Sequence, residues 1–183
     1  MRTDLRERLK QGVFFLDGAM GTQLMARGVQ PGVCNDAICV AAPEIVLEIH
    51  RAYVEAGSDA VITNTFGANR FTLTRHGQAE KAYEISKAGA EVARKAAGED
   101  RYVLGDIGPT GDFLQPLGML KADELKEAFA DQAKGLLLLQ GREVGPQKVA
   151  FYDVPLEHRI VFFEIKHHIA VGLHHEERFR PLQ

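Results

Sequence analysis

Two features of this chain predict an α/β fold of parallel strands joined by helical crossovers. The first is a set of three short apolar runs, each emptying into a glycine-rich polar loop. Val13-Phe14-Phe15-Leu16 leads into Asp17-Gly18-Ala19-Met20-Gly21-Thr22, and Ala60-Val61-Ile62 leads into Thr63-Asn64-Thr65-Phe66-Gly67-Ala68. Tyr102-Val103-Leu104 leads into Gly105-Asp106-Ile107-Gly108-Pro109-Thr110-Gly111. The second is helical periodicity between the runs, the pattern of βα crossovers. Parallel order puts all three loops on one face, where backbone N–H groups and short polar side chains gather at the carboxyl ends of the strands.

After the first run, Pro43 suits the opening turn of a helix on which Ile45, Val46, Ile49, Tyr53 and Ala56 share a face, and Gly57 ends it. A second helix is expected from about Ala79 to Ala97, with Ala82, Ile85, Ala88, Val92 and Ala96 inward and Gly98 as the stop. A third is expected from about Asp123 to Leu139, with Leu125, Ala128, Phe129, Gln132, Ala133 and Leu136 along one side and Gly141 at its end. From Gly141 onward the composition changes, because this stretch holds 5 of the 7 histidines but only 3 of the 18 glycines. Val149–Val154, Ile160–Ile165 and Ile169–Leu173 read as strands there. The chain therefore divides into residues 1–140 and a divergent tail, 141–183.

At 183 residues, 45% hydrophobic and 26% charged, the chain has room for one sizeable core. No apolar run approaches the roughly 18 residues a membrane span needs, and the charged amino terminus lacks the apolar segment of a leader. A cytoplasmic location is the expectation. A net charge of -3 leaves no basic footprint for nucleic acid. Two cysteines, Cys34 and Cys39, in the loop before the first long helix fit a reducing compartment and do not make a disulfide scaffold.

The blocks Leu16-Asp17-Gly18-Ala19-Met20-Gly21-Thr22, Pro43-Glu44 through Ile49-His50-Arg51-Ala52-Tyr53 and Glu55-Ala56-Gly57-Ser58-Asp59, and Thr63-Asn64-Thr65-Phe66-Gly67-Ala68 resemble the homocysteine S-methyltransferase family. Within it the chain looks most like the amino-terminal homocysteine domain of cobalamin-dependent methionine synthases, which Gly105–Gly111 also matches. The resemblance runs to about Leu137. It implies a (β/α)8 barrel, an architecture of roughly 250 residues, so this chain corresponds to a partial barrel of three or four βα units, about half. It also implies methyl transfer to the homocysteine thiol from methylcobalamin or from a sulfonium or betaine donor, giving methionine.

The resemblance further implies which residues matter. Asp17 would hold the homocysteine ammonium, with Gly18, Ala19, Gly21 and Thr22 beside it, while Asn64, Thr65 and Phe66 would line the pocket. Read without the family, Asp17-Gly18 is a tight turn and Asn64 and Thr65 are loop-stabilising caps. Asp106, Pro109 and Thr110 shape a rigid turn. Val161–Glu164 would stand for the family's fourth strand, with Glu164 gripping substrate.

The family activates its thiol with zinc held by three cysteines, one after the sixth strand and a pair after the eighth, and none of those positions exists in this chain. A free thiol titrates near pH 8.5, so without a metal little thiolate forms at neutral pH. Cys34 and Cys39 read as ordinary half-buried thiols. The histidines at 158, 167, 168, 174 and 175 suit opportunistic metal binding, and nothing in their pattern requires a dedicated site. The expectation is a truncated or rearranged homologue with no metal ligands and no catalytic residue of its own. A non-catalytic βα module for small-molecule binding or assembly is the alternative. An open half-barrel would also expose apolar strands, which predicts self-association.

Overall fold

A computed structural model describes residues 3–137, 150–151, 159–165 and 168–174, the last three stretches by their backbone alone. Its centre is a parallel pair, β1 (Ala60–Ile62) and β2 (Tyr102–Ile107), in the register Ala60 to Tyr102 and Ile62 to Leu104. Both faces of this pair are covered, which is why the strands read as unbroken apolar runs. Val61 and Val103 point to one side and pack on Val54, Ala93 and Ala97. Ala60, Tyr102 and Leu104 point to the other, where Leu5 and Phe14 close over them.

Two helices supply the first of those covers. The helix α4 (Pro43–Glu55) carries proline in its first turn, buries Val46, Ile49 and His50, and stops before Gly57, whose φ of 103° suits glycine. The helix α6 (Ala82–Ala97) buries a stripe of small residues, among them Ser86, Gly89, Ala90 and Ala93, so it lies close to its neighbours. One neighbour is α7 (Ala122–Leu137). A Cβ on Gly135 of α7 would lie 2.6 Å from the Tyr83 carbonyl oxygen, so the two backbones meet at a glycine. A 3-10 turn over Ala79–Lys81 accounts for the expected start of α6 at Ala79. Residues past Leu137, including the rest of the expected third helix, lie outside the described residues.

Shorter helices fill the loops: α1 (Leu5–Leu9), α2 (Gly21–Ala26), α3 (Ile38–Ala41) and α5 (Arg70–Thr74). Asp4 caps α1 by accepting from the Arg6 N–H, and the Tyr102 hydroxyl donates to the Thr3 carbonyl, tying the amino terminus to β2. Cys39 therefore sits on a helix and not in a loop, and both Cys34 and Cys39 are buried, not half-buried.

The first apolar run departs from expectation. Val13–Leu16 forms no regular strand, although the Asp59 and Ala60 N–H groups donate to the Phe15 carbonyl and the Asp17 N–H to the Ala60 carbonyl. Side chains replace the rest of the ladder. The Asp59 carboxylate accepts from the Phe15 N–H at 2.9 Å, and Asp17 accepts from the Ile62 N–H at 3.0 Å. Phe14 tilts against Tyr102, while Val13 and Phe15 are 71% and 62% exposed, in line with the apolar surface expected of an open half-barrel.

Each tail run contains a strand among the described residues, β3 (Ala150–Phe151), β4 (Arg159–Ile165) and β5 (His168–His174), while 149 and 152–154 of the first run lie outside them. The sheet order is β1-β2-β5-β4-β3. The strand beside β2 is β5, which runs parallel to it from Leu104–Ile169 to Ile107–Gly172, while β4 is antiparallel to β5 and β3 antiparallel to β4. Glu164 therefore does not end a fourth parallel strand. An antiparallel strand delivers its carboxyl end to the amino ends of its parallel neighbours, and Ile165, one residue on, pairs with His168 at the start of β5.

Candidate functional site

The carboxyl ends of β1 and β2 and the loop after Leu16 meet at one place, and hydrogen bonds between them fix its shape. The Thr65 hydroxyl donates to the Asp106 carbonyl at 2.7 Å, and the Asp106 N–H donates to the Thr63 hydroxyl at 2.9 Å. Because Thr65 has spent its one proton, the 2.6 Å contact between the two hydroxyls is a donation from Thr63. From α7, the buried Gln132 amide donates to the Thr65 and Asp106 carbonyls. One side chain thus clasps both strand ends.

Asn64 is similarly occupied. Its amide donates to the Asn35 carbonyl at 2.7 Å, and the Cys39 thiol lies 3.4 Å from the Asn64 carbonyl that accepts from it. Burial pushes the Cys39 thiol up to about 12, and burial also raises that of Cys34. Phe66 is half exposed, and its carbonyl accepts from the Gly108 N–H at 2.9 Å. A Cβ on Gly108 would fall 2.6 Å from the Phe66 ring, which explains glycine there. The strand runs on through Ile107, so Asp106 lies on β2 and not in the turn, and in the loop that follows Asn69 and Arg75 donate to the carbonyls of Pro109 and Thr110.

Asp17 has capacity to spare. Its side chain is 2% exposed, one oxygen is taken by the Ile62 N–H, and Oδ1 is buried with no protein partner. Gly18 is required beside it because a Cβ would lie 2.9 Å from the Tyr53 hydroxyl, which donates to the Ala19 carbonyl. Ala19 and Thr22 stand exposed on the rim, and Gly21 opens α2 near Asn35. Two more carboxylates join this mouth. Burial, and then the charges of Asp36 and Asp17, push Asp106 up to about 7, and burial raises Asp36, whose Oδ1 accepts from the Gly67 N–H at 2.8 Å.

The structure brings Asp17, Asn64, Thr65 and Phe66 to the strand ends, with Gly18 and Ala19 against Tyr53, Gly21 near Asn35, Thr22 exposed, and Glu164 on an antiparallel strand. Asp36, His50 and Gln132, which the sequence did not single out, and Asp106, read there as a turn residue, also border this place. Asp106 carried a usable signal, a carboxylate ending an apolar run beside glycine, just as Asp17 does.

Among the described residues no group of three or more His, Cys, Asp or Glu side chains could hold a metal ion. A cysteine binds zinc as the thiolate, and burial disfavours that form at both Cys34 and Cys39. The described residues do not fit zinc. His158, His167 and His175 lie outside them, and His168 and His174 are described by backbone only.

Comparison with known proteins decides the family, since the model for homocysteine S-methyltransferases matches residues 14–145. The chain belongs to the homocysteine S-methyltransferase family. It is 40% identical over 149 residues to the methionine synthases of Mycobacterium tuberculosis and of Mycobacterium leprae, a match covering 74% of this chain and 12% of each relative. The metallated homocysteine methyltransferase MmuM of Escherichia coli superimposes with a TM-score of 0.61 at 24% identity, over 74% of this chain and 53% of that one. Its oxidized form gives 0.61 at 25% identity. The chain thus spans about half the length of these solved structures and far less of the methionine synthases.

Proposed function

We propose that this chain supplies the homocysteine-binding part of a methyl-transfer site in methionine biosynthesis, built on the first three or four βα units of a (β/α)8 barrel. The observation that carries the reading is Asp17, a buried carboxylate fixed at the end of β1 with Oδ1 unpartnered and two further carboxylates nearby. A buried carboxylate of this kind matches an ammonium group, and the glycine beside it suits close approach of an amino-acid backbone. The residues' own part is to bind and orient. Asp17 holds the ammonium, Phe66 contributes apolar wall, and Asn64 and Thr65 shape the pocket through the loop bonds they make.

Zinc, where the family uses it, supplies thiolate activation, and no step of that kind runs through the described residues. Residues 1–140 form the barrel portion and 141–183 a divergent tail, with Glu164 outside the pocket. The exposed edge at Val13 and Phe15 favours self-association, and two free, protonated cysteines suit the cytoplasm. The misfit with zinc favours a second reading, a binding or assembly module without turnover.

Calorimetric titration of the 183-residue chain with L-homocysteine tests the proposal. Binding that falls at least about tenfold in Asp17→Asn, through loss of a charge-assisted contact, is the expected result. Equal binding by both proteins would remove Asp17 from the site and the reading with it.

A further inference from the structure

Behind Asp17 lies a side chain that the site does not yet use. His50, on α4, is fully buried, and neither ring nitrogen has a protein hydrogen-bond partner. Its Nδ1 lies 3.6 Å from Asp17 Oδ2, the oxygen that already accepts from the Ile62 N–H. At that separation the pair is in contact without being hydrogen-bonded. Two buried polar side chains therefore face each other, each with unused capacity, and a fold keeps such groups at a cost that packing alone would remove.

The geometry points to His50 as a positioning residue for the Asp17 carboxylate. Asp17 has one edge turned to the protein, where the Ile62 N–H and the His50 ring stand, and a second oxygen, Oδ1, left over. A donor at Nδ1 that closes by a few tenths of an ångström would hold Oδ2 from two sides. That fixes the rotation of the carboxylate and leaves Oδ1 for the ligand ammonium. His50 never touches the ligand. It acts by keeping an anion in register inside a water-poor pocket, where misalignment weakens a charge-assisted bond steeply. The inference deepens the proposed homocysteine reading and rests on it.

The chemistry of the side chain supplies a selective test. Asparagine places its amide nitrogen where the histidine Nδ1 stands, glutamine places its own near Nε2, and leucine keeps bulk without a donor. The probes are L-homocysteine and 4-mercaptobutanoate, the same molecule without its amino group, titrated into the full 183-residue chain and its His50→Asn, His50→Gln and His50→Leu variants. Thermal melts of each variant report folding.

In the unsubstituted chain homocysteine should bind more tightly than the deaminated probe. That preference should shrink about tenfold in His50→Leu and His50→Gln and persist in His50→Asn, with affinity for 4-mercaptobutanoate unchanged throughout. A merely structural histidine would weaken both probes together, and such a parallel loss in the folded variants overturns the inference. So does an unchanged preference in His50→Leu. If the unsubstituted chain shows no preference for the amino group, the homocysteine reading itself fails and takes the inference with it.

Discussion

Replacing Asp106 with asparagine should stabilise the protein at alkaline pH and leave it nearly unchanged in acid. The Asp106 carboxyl titrates at about 7 when folded, against 3.8 as its ordinary value, because burial and the charges of Asp36 and Asp17 disfavour the anion. Below 3.8 both folded and unfolded chains hold the proton, so the group costs nothing. Between 3.8 and about 7 the unfolded chain ionises while the folded one keeps its proton, and stability falls as pH rises; above 7 the loss is complete. Roughly three pH units at about 1.4 kcal/mol each give an upper bound of ~4 kcal/mol. Asparagine resembles the neutral acid and keeps the backbone N–H and carbonyl that Thr63 and Thr65 hold. Urea unfolding of both proteins at pH 4 and pH 8 measures the effect. A gain of about 2–4 kcal/mol at pH 8 and under about 1 kcal/mol at pH 4 is expected. An equal change at both pH values would refute the reasoning, since it would show that the anion pays no burial penalty.

Because Asp106 holds its proton near neutrality, a bound ammonium should displace it. Homocysteine titrated at pH 6.5 in two buffers of different ionisation enthalpy should release a fraction of a proton per ligand, fading by pH 8.5, and buffer-independent heats would count against the cluster. The open edge at Val13, Phe15 and Leu16 should make the chain associate, so sedimentation across a hundredfold dilution should show a dimer or larger species, and a cooperatively unfolding monomer throughout would contradict it. Gly89→Ala should destabilise by about 1–2 kcal/mol despite alanine's better helix propensity, because its Cβ would fall 2.5 Å from the Thr65 methyl, and a raised urea midpoint would show that Thr65 can give way.

The long helices were legible because proline, glycine and a helical stripe mark them: Pro43 and Gly57 bound α4, and Gly98 follows α6. The four helices of four to six residues span too little chain to show a period. The Val13–Leu16 run has the composition of a strand, yet its ladder is completed by the carboxylates of Asp17 and Asp59, a tertiary choice that composition cannot reveal. The place of β5 beside β2 is likewise a pairing across more than 60 residues of sequence. Asp17 and its glycines stood out as the end of an apolar run, although that run forms no regular strand. His50 did not, because one polar residue in a helical stripe looks the same whether it faces solvent or a buried carboxylate.

Spent and unspent polar groups separate the roles of the residues around the mouth. Thr63, Thr65 and Asn64 direct their donors at Asp106, Asn35 and each other, and the Gln132 amide joins the loops from behind. These four fix the shape of the mouth, and they leave it little hydrogen-bonding capacity of their own. Among the described residues, Asp17 Oδ1, Gln132 Oε1 and the two His50 ring nitrogens are buried without a hydrogen-bond partner, and nearby Asp36 has a raised titration while Asp106 is pushed up to about 7. Burial first, and then the charges of Asp36 and Asp17, lift Asp106. A ligand that brings a single positive charge offsets those charges, whereas a neutral ligand leaves them in place and an anion adds to them. On the homocysteine reading proposed above, preference for an amine follows from the Asp17 Oδ1 that the described residues leave unpaired.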